Sequence, residues 1–461
     1  MTLIKSISGI RGTIGGEQGV NLTPPDVLKF VTAYGKWLKE RNQKTKLTVI
    51  VGRDARISGP MVNHLVTGTL MGLGINIVEI GLATTPTVEM AVIHEKGDGG
   101  IIITASHNPG EWNALKLLNE KGEFLNAEEG ERIVELAAVP DHTYSEVSEL
   151  GIATHPGSYH KKHIDKILDL TLVDLEAIRK ADFKVAIDCV NSVGGLAIPQ
   201  LLEALGVSNV IKLYCDANGN FPHNPEPLPA NLGDIFEKVK SSGADVGFVV
   251  DPDVDRLAIV NEDGTFFGEE YTLVAVADYV LQNTPGNTVS NLSSTRALND
   301  VTVSYGGKYF SSAVGEVNVV EEMKLQKAVI GGEGNGGVIY PALHSGRDAL
   351  VGIALFLSQL AKSGLKCSEL RKKYPEYFIT KTKVQLDPDL NFEEVTSEIK
   401  KKFNRYKIST IDGVRVDLVK EWFHIRKSNT EPIVRIIAES NSIKGSEALV
   451  AEVQKIFNEF K

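Results

Sequence analysis

Three times along this chain an apolar, β-rich run stops at a turn of small polar residues, an amphipathic helix comes next, and a glycine leads into another apolar run. The first copy is LTVIVGRDARISG, a helix through MVNHLVTGTLMGLG, then INIVEIG. The second is FKVAIDCVNSVGG, LAIPQLLEALG and VSNVIKLYC, and the third begins at NTVSNLSSTRALNDVTVSYGGKYFSSAVG, with Gly307 in the place of Gly74 and Gly206. Strands alternating with helices of this length predict right-handed βαβ crossovers and mixed or parallel sheets. From about Arg371 the rhythm changes to YFITKTKVQLD, a charged helix NFEEVTSEIKKKF, the strand pair TIDGVRVDLVKEWFHIRKS and PIVRIIAES, and a last helix SEALVAEVQKIFNEF. That order predicts a smaller α+β domain. At 461 residues the chain exceeds one core. The expected fold class is α/β: three α/β mixed-sheet domains of similar topology over 1–154, 155–256 and 257–373, then a C-terminal α+β domain over 374–461, with linkers near His155, Arg256 and Tyr374.

Charge narrows the function. A net charge of −10 disfavours sequence-blind attraction to nucleic acid or an anionic membrane. No run approaches a membrane span and MTLIKSISGIRG lacks a long apolar signal segment, so cytoplasm is the expected location. Cys189, Cys215 and Cys367 are scattered, indicating neither a disulfide framework nor a cysteine zinc site.

Four segments carry chemistry. In GADVGFVVDPDVDRLAIV a buried strand ends and Asp251, Asp253 and Asp255 come after it at alternate positions, facing one way in extended backbone. Three such carboxylates repel unless a cation lies between them, and oxygen ligands without His or Cys point to Mg²⁺ ahead of Mn²⁺ or Ca²⁺. A DxDxD alone is also a solvated acidic turn, but its place after an apolar strand favours metal. GGIIITASHNP sets Ser106 at an equivalent strand end. A turn or N-cap serine is the plain alternative. His107 is not expected to act as its base, because adjacent residues in extended chain face opposite ways, which disfavours a Ser-His-Asp hydrolase. A phosphoryl group suits this serine better, with Lys116 as a local amine.

Arg11 in SISGIRG and Arg53 and Arg56 in VGRDARISG supply cations or are ordinary surface charge. GGEGNGGVIYP offers Glu333 and Asn335 as carboxylate and amide groups for sugar hydroxyls, or is a plain glycine-rich turn. HIRKSNTEPIVR packs Arg426, Lys427, Ser428, Asn429, Thr430 and Arg435 around a turn between strands, a set suited to phosphate.

Together TASHNP, DPDVDR, GEGNGG and RKSNTEP, in that order, resemble the α-D-phosphohexomutase superfamily over nearly the whole chain. The resemblance implies four domains around a central cleft and an isomerase that interconverts hexose 6-phosphate and hexose 1-phosphate through an enzyme phosphoserine and a 1,6-bisphosphate. Residue by residue it implies Ser106 as phosphoryl donor, with Asp251, Asp253, Asp255 and the Ser106 phosphate holding one Mg²⁺ per chain. Lys116, Arg11 and His107 would stand beside the transfer, and Glu333 and Asn335 at the sugar hydroxyls. Arg426, Ser428, Asn429, Thr430 and Arg435 would hold the non-reacting phosphate. Arg256 and His223, in FPHNPEP, would be substrate contacts. A small phosphosugar is the implied partner, glucose 1,6-bisphosphate or a similar bisphosphate the activator, and the chain a monomer or homodimer.

Two segments depart from commoner bacterial patterns: SISGIRG replaces FGTDGIRG, and GEGNGG stands where phosphoglucosamine mutases show GEQSGH and dual mannose/glucose enzymes GEMSGH. The loop is closer to the GEENGG of archaeal-type members. The expectation leans toward glucosamine phosphates, with dual mannose/glucose specificity as the alternative. A phosphatase and a non-catalytic sugar-phosphate sensor are the competing classes. The first lacks a second metal cluster, and the second has no need of a phosphoryl donor.

Overall fold

The computed structural model describes residues 2–6, 9–385, 391–427 and 433–460, Ser6 by its backbone alone. They form two compact units, Met1–Thr272 with Asn335–Arg371, and Leu273–Gly334 with Lys372–Lys461.

The first unit contains two sheets. One has seven strands in the order Ile4–Ser6, Gly9–Thr13, Trp112–Leu118, Gly99–Ile103, Thr48–Arg53, Asn76–Leu82, Ala153–Thr154. Thr48–Arg53 lies between Asn76–Leu82 and Gly99–Ile103 and is parallel to both, while Trp112–Leu118 returns antiparallel. Apolar side chains alternate between its two faces. Val49, Val51, Ile101 and Ile103 pack with Phe30 and Val31 of helix Pro24–Arg41 and with Val62 and Val66 of helix Gly59–Gly72. Ile50 and Ile102 face Val88 and Val92 of helix Thr85–Glu95 on the other side. This strand period of two produces a sheet covered by helices on both faces.

The second sheet repeats the plan. Lys184–Asp188 lies parallel to Asn209–Leu213 and to Val246–Val250, and Leu257–Asn261 returns antiparallel against Val246–Val250. The domain boundary expected after Arg256 therefore falls inside a hairpin whose two strands share five register pairs.

In the second unit, Asn287–Asn291 lies parallel to Tyr309–Ser312 and to Ala328–Glu333. This is the same arrangement of first, second and third strands. The C-terminal sheet is wholly antiparallel, in the order Phe378–Gln385, Ile433–Ser440, Trp422–Lys427, Val414–Asp417, Lys407–Ser409. Helices Phe392–Lys402 and Ile443–Asn458 pack their apolar residues Val395, Ile399, Val453 and Phe457 into one core with the sheet residues Val416, Phe423 and Ile436.

The third repeat differs from its expected register by one residue. Gly74 and Gly206 have φ of 74° and 89°, and it is Gly306, at 77°, that shares this left-handed conformation at the end of its helix. Gly307 instead sends its N–H to Thr302 O, as Ile75 does to Leu70 O and Val207 to Leu202 O. The glycine pair made either position plausible; only the one that ends the helix needs positive φ.

Within each α/β repeat the third strand ends on a chemistry-bearing segment: Ser106 lies just past Gly99–Ile103, Asp251 just past Val246–Val250, and Glu333 ends Ala328–Glu333. Carboxyl ends of parallel strands are where α/β sheets build sites, because backbone groups there leave the ladder and side chains become free to converge.

Candidate active site

The serine segment is held from behind by one buried arginine. Arg56, fully buried, sends Nη2 to Ser106 O and Asn108 O at 2.6 Å each, and Nη1 to Pro109 O at 2.6 Å and Trp112 O at 3.0 Å. Its Nε donates to Asp54 Oδ2 at 3.0 Å. Thr104 Oγ1 donates to that same carboxylate oxygen at 2.7 Å and accepts the Ser106 N–H at 3.0 Å. Four carbonyls thus close around one guanidinium, forcing the chain into a tight loop. Within it Ser106 takes φ 49°, a left-handed conformation that costs a non-glycine residue about 1–3 kcal/mol. Arg56 is accordingly a loop anchor and not surface charge.

The left-handed turn alters the expected relation of Ser106 to its neighbour. His107 Nδ1 lies 3.4 Å from Ser106 Oγ, whereas an extended chain would turn the two side chains apart. Burial, and after it Arg256 and Arg11, hold the His107 imidazole well below its ordinary pKa, so its ring is neutral at pH 7.

Ser106 Oγ donates to Asp251 Oδ2 at 2.7 Å, joining the strand ends of the two sheets of the first unit. Asp251, Asp253 and Asp255 are all buried, and one carboxylate oxygen from each lies within 4.8 Å of the others. Between them Val254 has φ 63°, which turns the loop sharply. That value is a real outlier for a β-branched side chain.

Around the acids stands a set of cations. Lys116 Nζ, from strand Trp112–Leu118, lies 2.7 Å from Asp253 Oδ2 and 3.5 Å from Asp255 Oδ2. Arg347 Nη2 donates to Asp255 Oδ2 at 2.7 Å. Arg256 Nε lies 4.0 Å from Asp255 Oδ1, with its Nη1 3.6 Å from Glu226 Oε1. Half-buried Arg11 lies in the field of the same groups: desolvation and Arg256 lower its pKa, while Asp253 and Asp255 raise it. Thr85, at the start of helix Thr85–Glu95, grips the loop twice, through its N–H to Asp253 O at 2.9 Å and its Oγ1 to Asp253 Oδ2 at 2.6 Å.

The electrostatics test the metal reading. Burial, Asp255 and Asp253 push the Asp251 carboxyl far above the ordinary range. Asp253 goes the other way, because the Lys116 ammonium outweighs burial. Lys116 is itself raised: burial opposes its charge, but Asp253 and Asp255 more than offset this and keep it cationic. Asp253 Oδ1 and Asp255 Oδ1 are buried with no hydrogen-bond partner among the described residues. A buried carboxylate oxygen left so is costly. Hard oxygen donors converging on one point, two of them unmet, fit a small divalent cation.

His223 is placed differently from the rest. Its Nε2 donates to Asp188 Oδ2 at 3.1 Å and its Nδ1 to Asn224 O at 2.8 Å, with Tyr214 edge-on at 5.7 Å. Its ring is raised in pKa because the Asp188 hydrogen bond outweighs burial. Asn335, also in the first unit, accepts the Gly337 N–H on Oδ1 at 3.2 Å.

In the second unit Glu333 is buried and accepts from Asn291 Nδ2 at 2.8 Å and Gly315 N at 3.2 Å on Oε1. Asn291 ends the first strand of its repeat, as Asp188 ends and Asp54 succeeds theirs. In the C-terminal sheet Arg426 and Arg435 stand directly opposite across strands Trp422–Lys427 and Ile433–Ser440. Like charges facing across a ladder destabilise it unless an anion lies between them. Arg426 is lowered in pKa by burial and by Arg435, against the pull of Asp412 and Glu333. Ser428, Asn429 and Thr430, assigned to the same cradle from the sequence, lie outside the described residues.

Sequence reasoning missed Arg347 and Thr85 and misread Arg56. The signals available were weak: HSGRDAL and LATTPT carry no pattern that sets them apart from ordinary helix starts.

Known proteins share this division of the chain. The domain models of phosphoglucomutase/phosphomannomutase match four times: alpha/beta/alpha domain I over residues 3–142, domain II over 161–264, domain III over 268–377, and the C-terminal domain over 383–456. The chain belongs to the phosphoglucomutase/phosphomannomutase family and is a phosphohexomutase, an isomerase that relocates a phosphoryl group on a hexose. A phosphoglucomutase/phosphomannomutase from Thermococcus kodakarensis is 36% identical over 94% of this chain and 94% of its own length. A phosphoglucosamine/phosphogalactosamine mutase from Sulfurisphaera tokodaii is 32% identical over 97% of each chain. The crystal structure of a phosphoglucomutase/phosphomannomutase family protein from Burkholderia thailandensis superposes with a TM-score of 0.80 at 25% identity, covering 100% of this chain and 97% of that one. Among the described residues no helix is long and apolar enough to cross a membrane.

Proposed function

We propose that this enzyme works through a phosphoserine at Ser106 and a hexose 1,6-bisphosphate intermediate, with glucosamine phosphates as its preferred substrates. The observation that carries the reading is Ser106 Oγ at 2.7 Å from Asp251, inside a carboxylate cluster with two unmet oxygens. Asp251, Asp253 and Asp255 would hold one Mg²⁺ together with a Ser106 phosphate oxygen, and the ion when bound would neutralise charge on the transferring group.

The remaining chemistry belongs to the chain's own side chains. In the first half-reaction the bond from phosphorus to Ser106 Oγ breaks as one forms to the free sugar hydroxyl, and the hydroxyl proton must leave. Lys116, the cation beside the aspartates, is the candidate acid or base for the proton exchange between the hydroxyl and the freed serine, with His107, beside Ser106 Oγ, in support. Arg11, Arg256 and Arg347 add positive charge where phosphoryl oxygens gather, so positioning and charge neutralisation carry most of the rate. Glu333 and Asn335 take sugar hydroxyls. Arg426 and Arg435, with Ser428, Asn429 and Thr430, take the phosphate that is not reacting, and His223 is a further substrate contact.

The preference for glucosamine rests on the opening SISGIRGTIGG and on the name of the Sulfurisphaera relative. The Thermococcus relative favours the second reading, a dual mannose/glucose enzyme. The deciding experiment is a coupled assay with Mg²⁺ and a trace of glucose 1,6-bisphosphate on glucosamine, mannose and glucose 1-phosphates. The ranking of kcat/KM names the sugar, and isomerisation of none of them rejects the substrate class.

Two further outcomes are expected. Arg426→Ala should raise KM about 10- to 100-fold with a smaller change in kcat, since a charge-assisted contact to phosphate is worth about 1.5–3 kcal/mol. An unchanged KM for the sugar phosphate would remove Arg426 from the cradle. Dialysis against EDTA should bring turnover to background and added Mg²⁺ should restore it; full activity after chelation, checked by elemental analysis of the dialysed protein, would refute a metal at the aspartates.

A further inference from the structure

We propose that the first unit carries a second metal site, made by His163, His344 and Asp348, that takes one zinc ion. The three residues share no member with the acidic cluster, and all are buried, with ligand atoms within 4.8 Å of one another. His163 projects from helix His160–Leu168, and Asp348 is the N-cap of helix Ala349–Ser363. Both histidines turn Nε2 toward one oxygen, with His163 Nε2 at 2.9 Å and His344 Nε2 at 3.3 Å from Asp348 Oδ2. The other Asp348 oxygen is occupied by the helix, accepting the N–H groups of Leu350 at 2.8 Å and Val351 at 3.3 Å. Two imidazoles and a carboxylate oxygen therefore converge on a single buried point.

The far side of each ring is equally informative. His163 Nδ1 lies 3.0 Å from Thr87 Oγ1, and His344 Nδ1 lies 3.3 Å from Glu89 Oε2. Metal-binding histidines are held in this way, the second nitrogen given to an oxygen that fixes ring orientation and tautomer. Thr87 and Glu89 are both buried on helix Thr85–Glu95, so a ring pair and its outer oxygens are all preset. Two nitrogens and one oxygen suit zinc, since Mg²⁺ and Ca²⁺ prefer oxygen alone. Zinc bound by three protein ligands keeps its fourth position for water.

Such an ion would join three helices behind the catalytic loops. The helix bearing Thr87 and Glu89 begins with Thr85, which holds Asp253, and Arg347, next to Asp348, holds Asp255. The site would thus brace the aspartate loop without touching it.

The test is elemental analysis of tag-free protein produced in zinc-supplemented medium, then dialysed without chelator in excess Mg²⁺, which occupies the acidic cluster. About one zinc per chain is expected in the unaltered protein, with zinc content at least about tenfold lower in His163→Gln and His344→Gln. Removing the zinc with a strong chelator should lower Tm, and stoichiometric Zn²⁺ should restore it. Unaltered protein that neither carries zinc nor gains Tm on adding it overturns the proposal, as does zinc retained in both histidine variants. Should a variant fail to fold, cobalt loaded into the unaltered protein decides: visible absorption of a tetrahedral nitrogen and oxygen site supports the proposal, and its absence refutes it. None of these readouts depends on turnover, so the outcome is separable from the phosphoserine reading.

Discussion

Ser106→Ala is expected to lose mutase turnover by a factor on the order of 10⁴ or more while remaining folded. Alanine removes the hydroxyl placed against Asp251 and leaves the loop's supports in place, because Thr104 holds the Ser106 N–H and Arg56 holds its carbonyl, both backbone groups. It inherits the left-handed φ of 49° at about the cost serine already bears. Loss of the hydrogen bond to Asp251 should cost about 1 kcal/mol, too little to unfold a chain of this size. Binding should survive as well: the variant should still take up hexose phosphate with a Kd near that of the unaltered protein, since Arg426, Arg435, Glu333 and Asn335 are untouched. Mass spectrometry should find a covalent phosphoryl group on the unaltered protein after treatment with glucose 1,6-bisphosphate and none on the variant. Retained turnover, or a phosphoryl group elsewhere on an active variant, would dismiss Ser106 as the donor. Net release of inorganic phosphate by the unaltered protein would instead move the assignment to a phosphatase.

Much of this site was legible because its parts stand at strand ends. A short apolar run such as GGIII or VGFVV, bounded by turn signals, reads as a buried strand, and the residues next in the chain leave the sheet, so Ser106 and Asp251 were found by position as much as by type. Glu333 came instead from the glycine-rich run GGEGNGG, where a ligand can approach the backbone closely. The hidden part depends on contacts between segments far apart in the chain. Thr85 reaches Asp253 across 168 positions, and Arg56 reaches the Ser106 carbonyl across 50. No local periodicity records such a meeting. Backbone sign was hidden for another reason: Ser106 and Val254 take positive φ without being glycine, and only the tertiary structure can impose that. The error about His107 has this origin, since an extended backbone was assumed where the loop is left-handed. The misplacement at Gly307 is smaller in kind, because two adjacent glycines leave the register undecided until the helix end is seen.

The second large effect is expected at Arg56, which touches no reacting atom. Its guanidinium is fully buried and donates to the carbonyls of Ser106, Asn108, Pro109 and Trp112 and to Asp54, with the Phe221 ring 5.1 Å away. Burial already pushes the Asp54 carboxyl up, and Arg56 is the first group drawing it back. Arg56→Ala should destabilise the protein by about 3–5 kcal/mol, as expected when one partner of a buried ion pair is deleted. Arg56→Lys is the sharper probe. Lysine keeps the charge but has three donors on one atom, so it cannot span four carbonyls as a planar fork does. It should therefore keep most of the stability while lowering kcat about 100-fold, with KM for the sugar phosphate little changed, because the fault lies in where Ser106 points. The double variant Asp54→Asn, Arg56→Met separates the two contributions. If charge balance alone matters, it should recover both stability and kcat; if the carbonyl cradle matters, stability should recover in part and kcat should stay low. Wild-type kcat in Arg56→Lys would show that the serine loop holds its shape without the fork, and the left-handed turn at Ser106 would then have to be ascribed to Thr104 and the chain itself.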